Sequence, residues 1–272
     1  MRTGFREILA AGILASLVIG IFAACTTAQA QTPPRVIDLP SRAGVTQRLL
    51  LLTPPEPRAT VLLFTGGHGG LQVAADGTFK RGHGNFLIRS RELFLQQGLA
   101  VALIDAPSDL QSPPFLQGAR QRPEHVADVR SAIVWLRQTV KQPVWLVGTS
   151  RGTQSVAYVA TELSGEQAPD GIVLSATVVV DRKDRPVSAL PLARIAIPVL
   201  VVHHEQDACS ACPFSQVPAL MSALTHSPRK QLLVFNGGLN TGDPCEAFAH
   251  HGFNGLESDV VGRIAAWVTA RQ

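Results

Sequence analysis

Short apolar runs recur along the chain, each closed by a turn residue. The run at 60–64 leads into Gly66-Gly67-His68-Gly69-Gly70, 99–104 ends at Asp105, 143–147 at Gly148 and 171–174 at Ser175. Runs at 197–202 and 231–235 complete the series. Uninterrupted apolar stretches of this length read as strands buried on both faces of a parallel sheet. Residues 47–52 read as a further strand near the amino end. Between the runs the period changes to that of a helix. Val126, Val129, Ile133, Leu136 and Val140 share one face, as do Val156, Ala160 and Leu163 after Gly152. Leu256, Val260, Val261, Ile264 and Trp267 form a last stripe, with Asn254 and Glu257 as a capping pair for a helix beginning near Gly255. This alternation predicts an α/β fold: a mostly parallel central sheet, right-handed crossovers and helices on both faces. No repeat or linker divides residues 31–272, which read as one domain. The segment 181–194 is too short for a substantial helical cap, so little or no cap domain is expected.

The amino end follows another rule. Arg2 and Arg6 precede an uncharged apolar run over 8–24, and Ala28-Gln29-Ala30 follows as a small-residue cleavage signal. This is the order of a secretory signal peptide, so residues 1–30 are expected to be removed near Ala30 and the rest exported to the periplasm or medium. The run is short for a membrane span. Phe22-Ala23-Ala24-Cys25 offers the alternative of a lipoprotein signal, and a membrane partner is expected only if Cys25 is lipidated. With 46% hydrophobic and 16% charged residues, the 272-residue chain is too apolar for disorder and long enough to bury a large core. Its 24 basic and 20 acidic residues carry a net charge of +4 without a basic block, so nucleic acid is not expected as a partner.

Gly148-Thr149-Ser150-Arg151-Gly152 is a G-x-S-x-G between a buried strand and a helix. The glycines permit a cramped turn that presents Ser150 above the sheet edge, and the following helix aims its free N–H groups at a developing oxyanion. In that context the chain resembles the α/β-hydrolase superfamily over residues 60–267, most closely the secreted bacterial α/β hydrolases of poorly defined substrate. The resemblance implies the α/β-hydrolase fold and a Ser…Asp…His order. It assigns the acid to the loop after the run at 197–202, where Asp207 matches, with Glu205 and Asp181 as competitors. It assigns the base to His250-His251-Gly252, favouring His251, which directly precedes glycine; His250 is then structural. The oxyanion donors would be the N–H groups of Arg151 and of Gly67, the second uncertain by one residue because Thr65-Gly66 stands where many relatives carry His-Gly. His68 reads as a pocket wall, and Leu71, Phe79, Phe86 and Phe115 as apolar walls or core.

Three cysteines follow the signal: Cys209, Cys212 and Cys245. In an oxidising compartment they are disulfide candidates. If Asp207 and His251 meet over Ser150, their loops are neighbours and Cys209–Cys245 can pair. Similar secreted hydrolases carry both cysteines, while Cys212–Cys245 and Cys209–Cys212 remain competing pairings. Cys209-Ser210-Ala211-Cys212 lacks the second pair of a four-cysteine zinc site, and neighbouring histidines on a strand point to opposite faces, so no metal is expected. No cofactor and no stable protein partner are implied. The expectation is a serine hydrolase acting by acyl transfer on a small molecule, most simply a carboxylic ester that is small or soluble. A serine peptidase or amidase, and an inactive binding protein on the same scaffold, are the alternatives.

Overall fold

The computed structural model describes Met1 and residues 32–270. The expected signal peptide, from residue 2 through Ala30 and including Cys25, lies outside the described residues. Eight strands form one sheet: β1 (Arg35–Arg42), β2 (Val45–Leu52), β3 (Ala59–Phe64), β4 (Leu99–Ile104), β5 (Val144–Thr149), β6 (Gly171–Ser175), β7 (Val199–His204) and β8 (Lys230–Phe235). Among the described residues six α-helices accompany them: α1 (Phe86–Arg89), α2 (Arg91–Gln96), α3 (Pro123–Val140), α4 (Gly152–Glu162), α5 (Val217–Ala223) and α6 (Glu257–Thr269). The spatial order is β1-β2-β4-β3-β5-β6-β7-β8. Pairing is antiparallel for β1–β2 and β2–β4 and parallel from β4 onward.

The apolar runs serve two cores at once because successive side chains leave a strand on opposite faces. On β5, Val144 and Leu146 pack with Val129, Ile133 and Leu136 of α3 and Val156 of α4. Trp145 and Val147 pack instead with Phe94 of α2 and Val260 and Ile264 of α6. β3 divides in the same way, Leu62 and Phe64 to the first layer and Val61 and Leu63 to the second.

Two expectations change. β8 is not buried on both faces: as the outermost strand it has one neighbour, and Lys230, Gln231 and Val234 are exposed. Asn254 and Glu257 do not cap α6. Leu256 occupies the N-cap without a side-chain bond, Asn254 donates to the Phe248 carbonyl, and Glu257 pairs with Arg89 at 2.9 Å. The segment 181–194 contributes only two short 3-10 turns, at Val187–Ala189 and Leu192–Arg194. No helix among the described residues is long and apolar enough to cross a membrane.

The order of strands positions the site. In open parallel sheets, ligands bind beyond the carboxyl ends of the strands. The loops leaving β3, β5, β7 and β8 carry Gly66–Gly67, Ser150, Asp207 and His251 respectively, all from that edge.

Candidate active site

Ser150 sits between β5 and α4 with φ +52°, a left-handed conformation unusual for serine. Its amide donates to the Ser175 carbonyl at 3.0 Å, and its carbonyl accepts from the Thr153 amide at 2.9 Å and the Thr153 hydroxyl at 2.6 Å. The joint is too tight for side chains at its flanks. A Cβ on Gly148 would stand 2.7 Å from the Gly152 carbonyl carbon, and one on Gly152 would run into the Phe64 carbonyl. These contacts hold the turn in its unusual conformation. Register Phe64↔Gly148 brings the loop after β3 alongside, where a Cβ on Gly66 would lie 2.9 Å from Ser150 Cβ.

Asp207 and His251 come from separate loops and meet. His251 Nδ1 lies 2.9 Å from Asp207 Oδ2, with side-chain exposures of 5% and 0%. The second carboxylate oxygen accepts the Cys209 amide at 2.9 Å, so both oxygens are engaged. His251 Nε2 is buried and has no hydrogen-bond partner among the described residues. Ser150 and His251 line the same cleft, of about 700 Å³, with Gly66, Gly67, His68, Asn85 and Phe86 opposite the loop 241–248. Ser150 Oγ and His251 Nε2 thus share a cleft without a hydrogen bond between them. Cys209 and Cys245 are joined in a disulfide that ties the Asp207 loop to the loop preceding His251, while Cys212 is buried and unbridged.

No family model matches the sequence, and no curated protein matches it. Solved structures do. An α/β serine hydrolase homologue from Coxiella burnetii superimposes with a TM-score of 0.56 at 19% identity, covering 85% of this chain and 96% of that one. A dienelactone hydrolase from Anabaena variabilis gives 0.59 at 15%, covering 87% and 97%. A cold-adapted esterase from an Arctic intertidal metagenomic library gives 0.56 at 17%, covering 86% and 93%. The chain has the α/β-hydrolase fold.

Within this α/β-hydrolase fold the competing residues are engaged elsewhere. Asp181 accepts from Arg151 at 2.7 Å and from Gln154 at 3.1 Å, and Glu205 is exposed. His250 is only half-buried, stacked on His204 with ring centroids 4.2 Å apart. The Arg151 side chain therefore turns away from the cleft, leaving its backbone amide at the elbow. Neither that amide nor the Gly67 amide has a backbone acceptor among the described residues. His68 lines the cleft, its Nδ1 accepting from the Gly70 amide at 3.1 Å and its ring stacked on Phe115 at 4.4 Å. Burial, reinforced by the charges of Arg81 and Arg120, holds its pKa below the ordinary histidine value. Leu71 and Phe86 also line the cleft, whereas Phe115 packs under Gly70 and Phe79 against His83.

Three supporting residues escaped the motif search. Asp105, buried at the end of β4, accepts the amides of Leu71 (2.7 Å), Val73 (2.9 Å) and Ala106 (2.7 Å), fixing the chain beyond the Gly-rich loop. Arg89 on α1 donates to the Gly252 carbonyl at 2.6 Å and so holds the His250–Gly252 turn. Arg120, in the connection between β4 and α3, is buried under the loop after β3. Asp105 had a faint signal as the carboxylate that closes an apolar run; the two arginines had none.

Proposed function

We propose that the chain is a serine hydrolase that cleaves small, soluble carboxylic esters by acyl transfer. The observation that carries this reading is the buried imidazole of His251, anchored at Nδ1 by Asp207 and unpartnered at Nε2 in a cleft shared with Ser150. In that role Ser150 Oγ attacks the ester carbonyl carbon while its proton passes to His251 Nε2. The ester C–O bond then breaks, and His251 returns the proton to the departing alcohol. Water, deprotonated by the same imidazole, releases the acid and restores Ser150. Asp207 holds the tautomer and stabilises the imidazolium. The amides of Arg151 and Gly67 stabilise the oxyanion.

The cleft stands open, with no helical cap in the segment after β6, which supports compact substrates over long lipids. The Cys209–Cys245 bridge fits an exported protein, as does the amino-terminal signal. The test is labelling of the oxidised protein with a fluorophosphonate probe, followed by a panel of short-chain esters and matched amides. Labelling at Ser150 with ester turnover is expected. Turnover of the amides instead would make it an amidase, and absence of labelling would make it a binding protein.

A further inference from the structure

Arg120 is a buried cation without an ion pair among the described residues; Asp184 acts on it only from a distance. Its side chain is buried, the residue being 4% exposed, and no carboxylate lies within ion-pair distance among the described residues. Burying such a charge is costly unless hydrogen bonds replace the lost water. Here the replacements are specific. Nη2 donates to the Thr65 carbonyl at 3.0 Å and the Gly67 carbonyl at 3.2 Å, and Nη1 donates to Ser155 Oγ at 2.9 Å on α4. Nε is left without a partner. The loop lies so close that a Cβ on Gly69 would stand 2.5 Å from Nη2. Adjacent residues reinforce the grip: Leu116 donates its amide to the His68 carbonyl at 3.0 Å, and Phe115 stacks on the His68 ring.

The two carbonyls that Arg120 holds flank the Gly66–Gly67 peptide. With Thr65 O and Gly67 O fixed on the guanidinium, the Gly66–Gly67 peptide between them, which carries the Gly67 amide, is held from both ends. On its other side the loop meets Ser150, at Gly66. A purely structural role would be served more cheaply by a neutral donor. We infer that Arg120 is a positioning residue for the oxyanion hole, gripping the 65–68 loop at the carbonyls on either side of the Gly66–Gly67 peptide so that the Gly67 amide stays fixed for the tetrahedral intermediate on Ser150. Through Ser155 it also ties this loop to the helix that follows the nucleophile, so that both halves of the hole share one anchor. Its positive charge, which has no ion pair, further favours an anion at the hole. Burial, with the Arg151 charge next, pushes its pKa down to about 9, which leaves it cationic at neutral pH.

The inference rests on the serine hydrolase reading, and the experiment separates the two. Fluorophosphonate labelling of the unmodified protein tests the reading; absence of labelling there defeats it regardless of Arg120. With labelling established, Arg120→Met and Arg120→Lys are compared for kcat, KM and inhibition by a boronic acid, whose tetrahedral adduct places an anionic oxygen in the hole. Arg120→Met is expected to lower kcat about tenfold to hundredfold with KM within twofold, and to weaken the boronic acid in parallel. Arg120→Lys, which keeps the charge and part of the grip, should recover part of that loss and serves alone if the Met variant does not fold. A folded Arg120→Met with kcat within twofold of the unmodified enzyme overturns the inference. So does a change confined to KM in either variant, or a Lys variant of full stability, kcat and boronic acid affinity where Met does not fold.

Discussion

His251 Nδ1 is held 2.9 Å from Asp207 Oδ2, while the second oxygen of the same carboxylate accepts the Cys209 amide. The carboxylate is thus held at both oxygens, and a proton on Nδ1 leaves Nε2 free for the base role proposed for His251. Asp207→Asn should keep the fold and lower kcat by about 10⁴, because an amide can hold the wrong tautomer. Ser150→Ala and His251→Ala should each cost on the order of 10⁴–10⁶ in kcat. His250→Ala should cost less than about tenfold on the same scale, since His250 stacks on His204. Ester turnover measured beside a melting curve for each variant checks the ranking. A reversal between His250 and His251 moves the base.

The Cys209–Cys245 bridge closes a loop across a sequence separation of 36 residues. On the chain-entropy account that contributes ~3–4 kcal/mol. Cys245→Ser should lose stability of that order in urea unfolding, and kcat should fall as the acid loop and the 241–248 loop part. Peptide mapping of protein lacking residues 1–30 should find one free thiol, at Cys212. Three free thiols, or equal stability with and without reductant, would contradict the assignment.

Acid should weaken the fold through His125. Burial is the main cause, followed by the charges of Arg120 and Arg42, that pushes its pKa down to about 3. The unfolded chain carries a histidine of about 6.5. Between those values the unfolded state binds the extra proton, so stability is fully present above about pH 6.5 and is lost as pH falls. The slope is about 1.4 kcal/mol per pH unit for such a group. His203, held low by burial, acts in the same direction. Urea unfolding from pH 8 to pH 4 should show this decline, and His125→Leu should make it shallower. An unchanged slope would remove His125 from the account.

The charged side chains that line the cleft are asymmetric. Asp243 and Glu246, both exposed, line it, and among the described residues no Lys or Arg does. Esters with a cationic alcohol should therefore be preferred to their anionic counterparts, although the protein as a whole is basic. Asp243→Asn combined with Glu246→Gln should reduce the kcat/KM ratio of a choline ester to its neutral isostere by about tenfold at low salt, with less change at high salt. An unaltered ratio would assign selectivity to other groups.

Much of this architecture was legible because buried strands and the elbow have local signatures. The apolar run at 144–147 ends in a turn whose flanking positions, Gly148 and Gly152, leave no room for a Cβ. Asp207 and His251 followed from chain order and a resemblance. What stayed hidden depends on partners distant in sequence. Nothing around Arg120 marks it as buried, since its acceptors are carbonyls at 65 and 67 and a hydroxyl at 155. β1 lacks such a signature because Asp38, Pro40 and Ser41 interrupt its apolar alternation, and among the described residues it is an edge strand beside β2. Glu257 has the position of a cap, yet Arg89, 168 residues earlier in the chain, claims it.

The left-handed backbone at Ser150 ties activity to packing in a further way. Such a conformation costs of order 1–3 kcal/mol and persists only while its surroundings enforce it. The enforcement comes from the β5–α4 joint and the neighbouring β3 end, not from any bond of the Ser150 side chain. Whatever slackens that joint, whether heat, cosolvent or a cavity beneath Phe64, lets the serine slip into an ordinary conformation before the sheet itself comes apart. On slow warming, turnover should thus fade below the temperature at which the helices melt, and return on cooling.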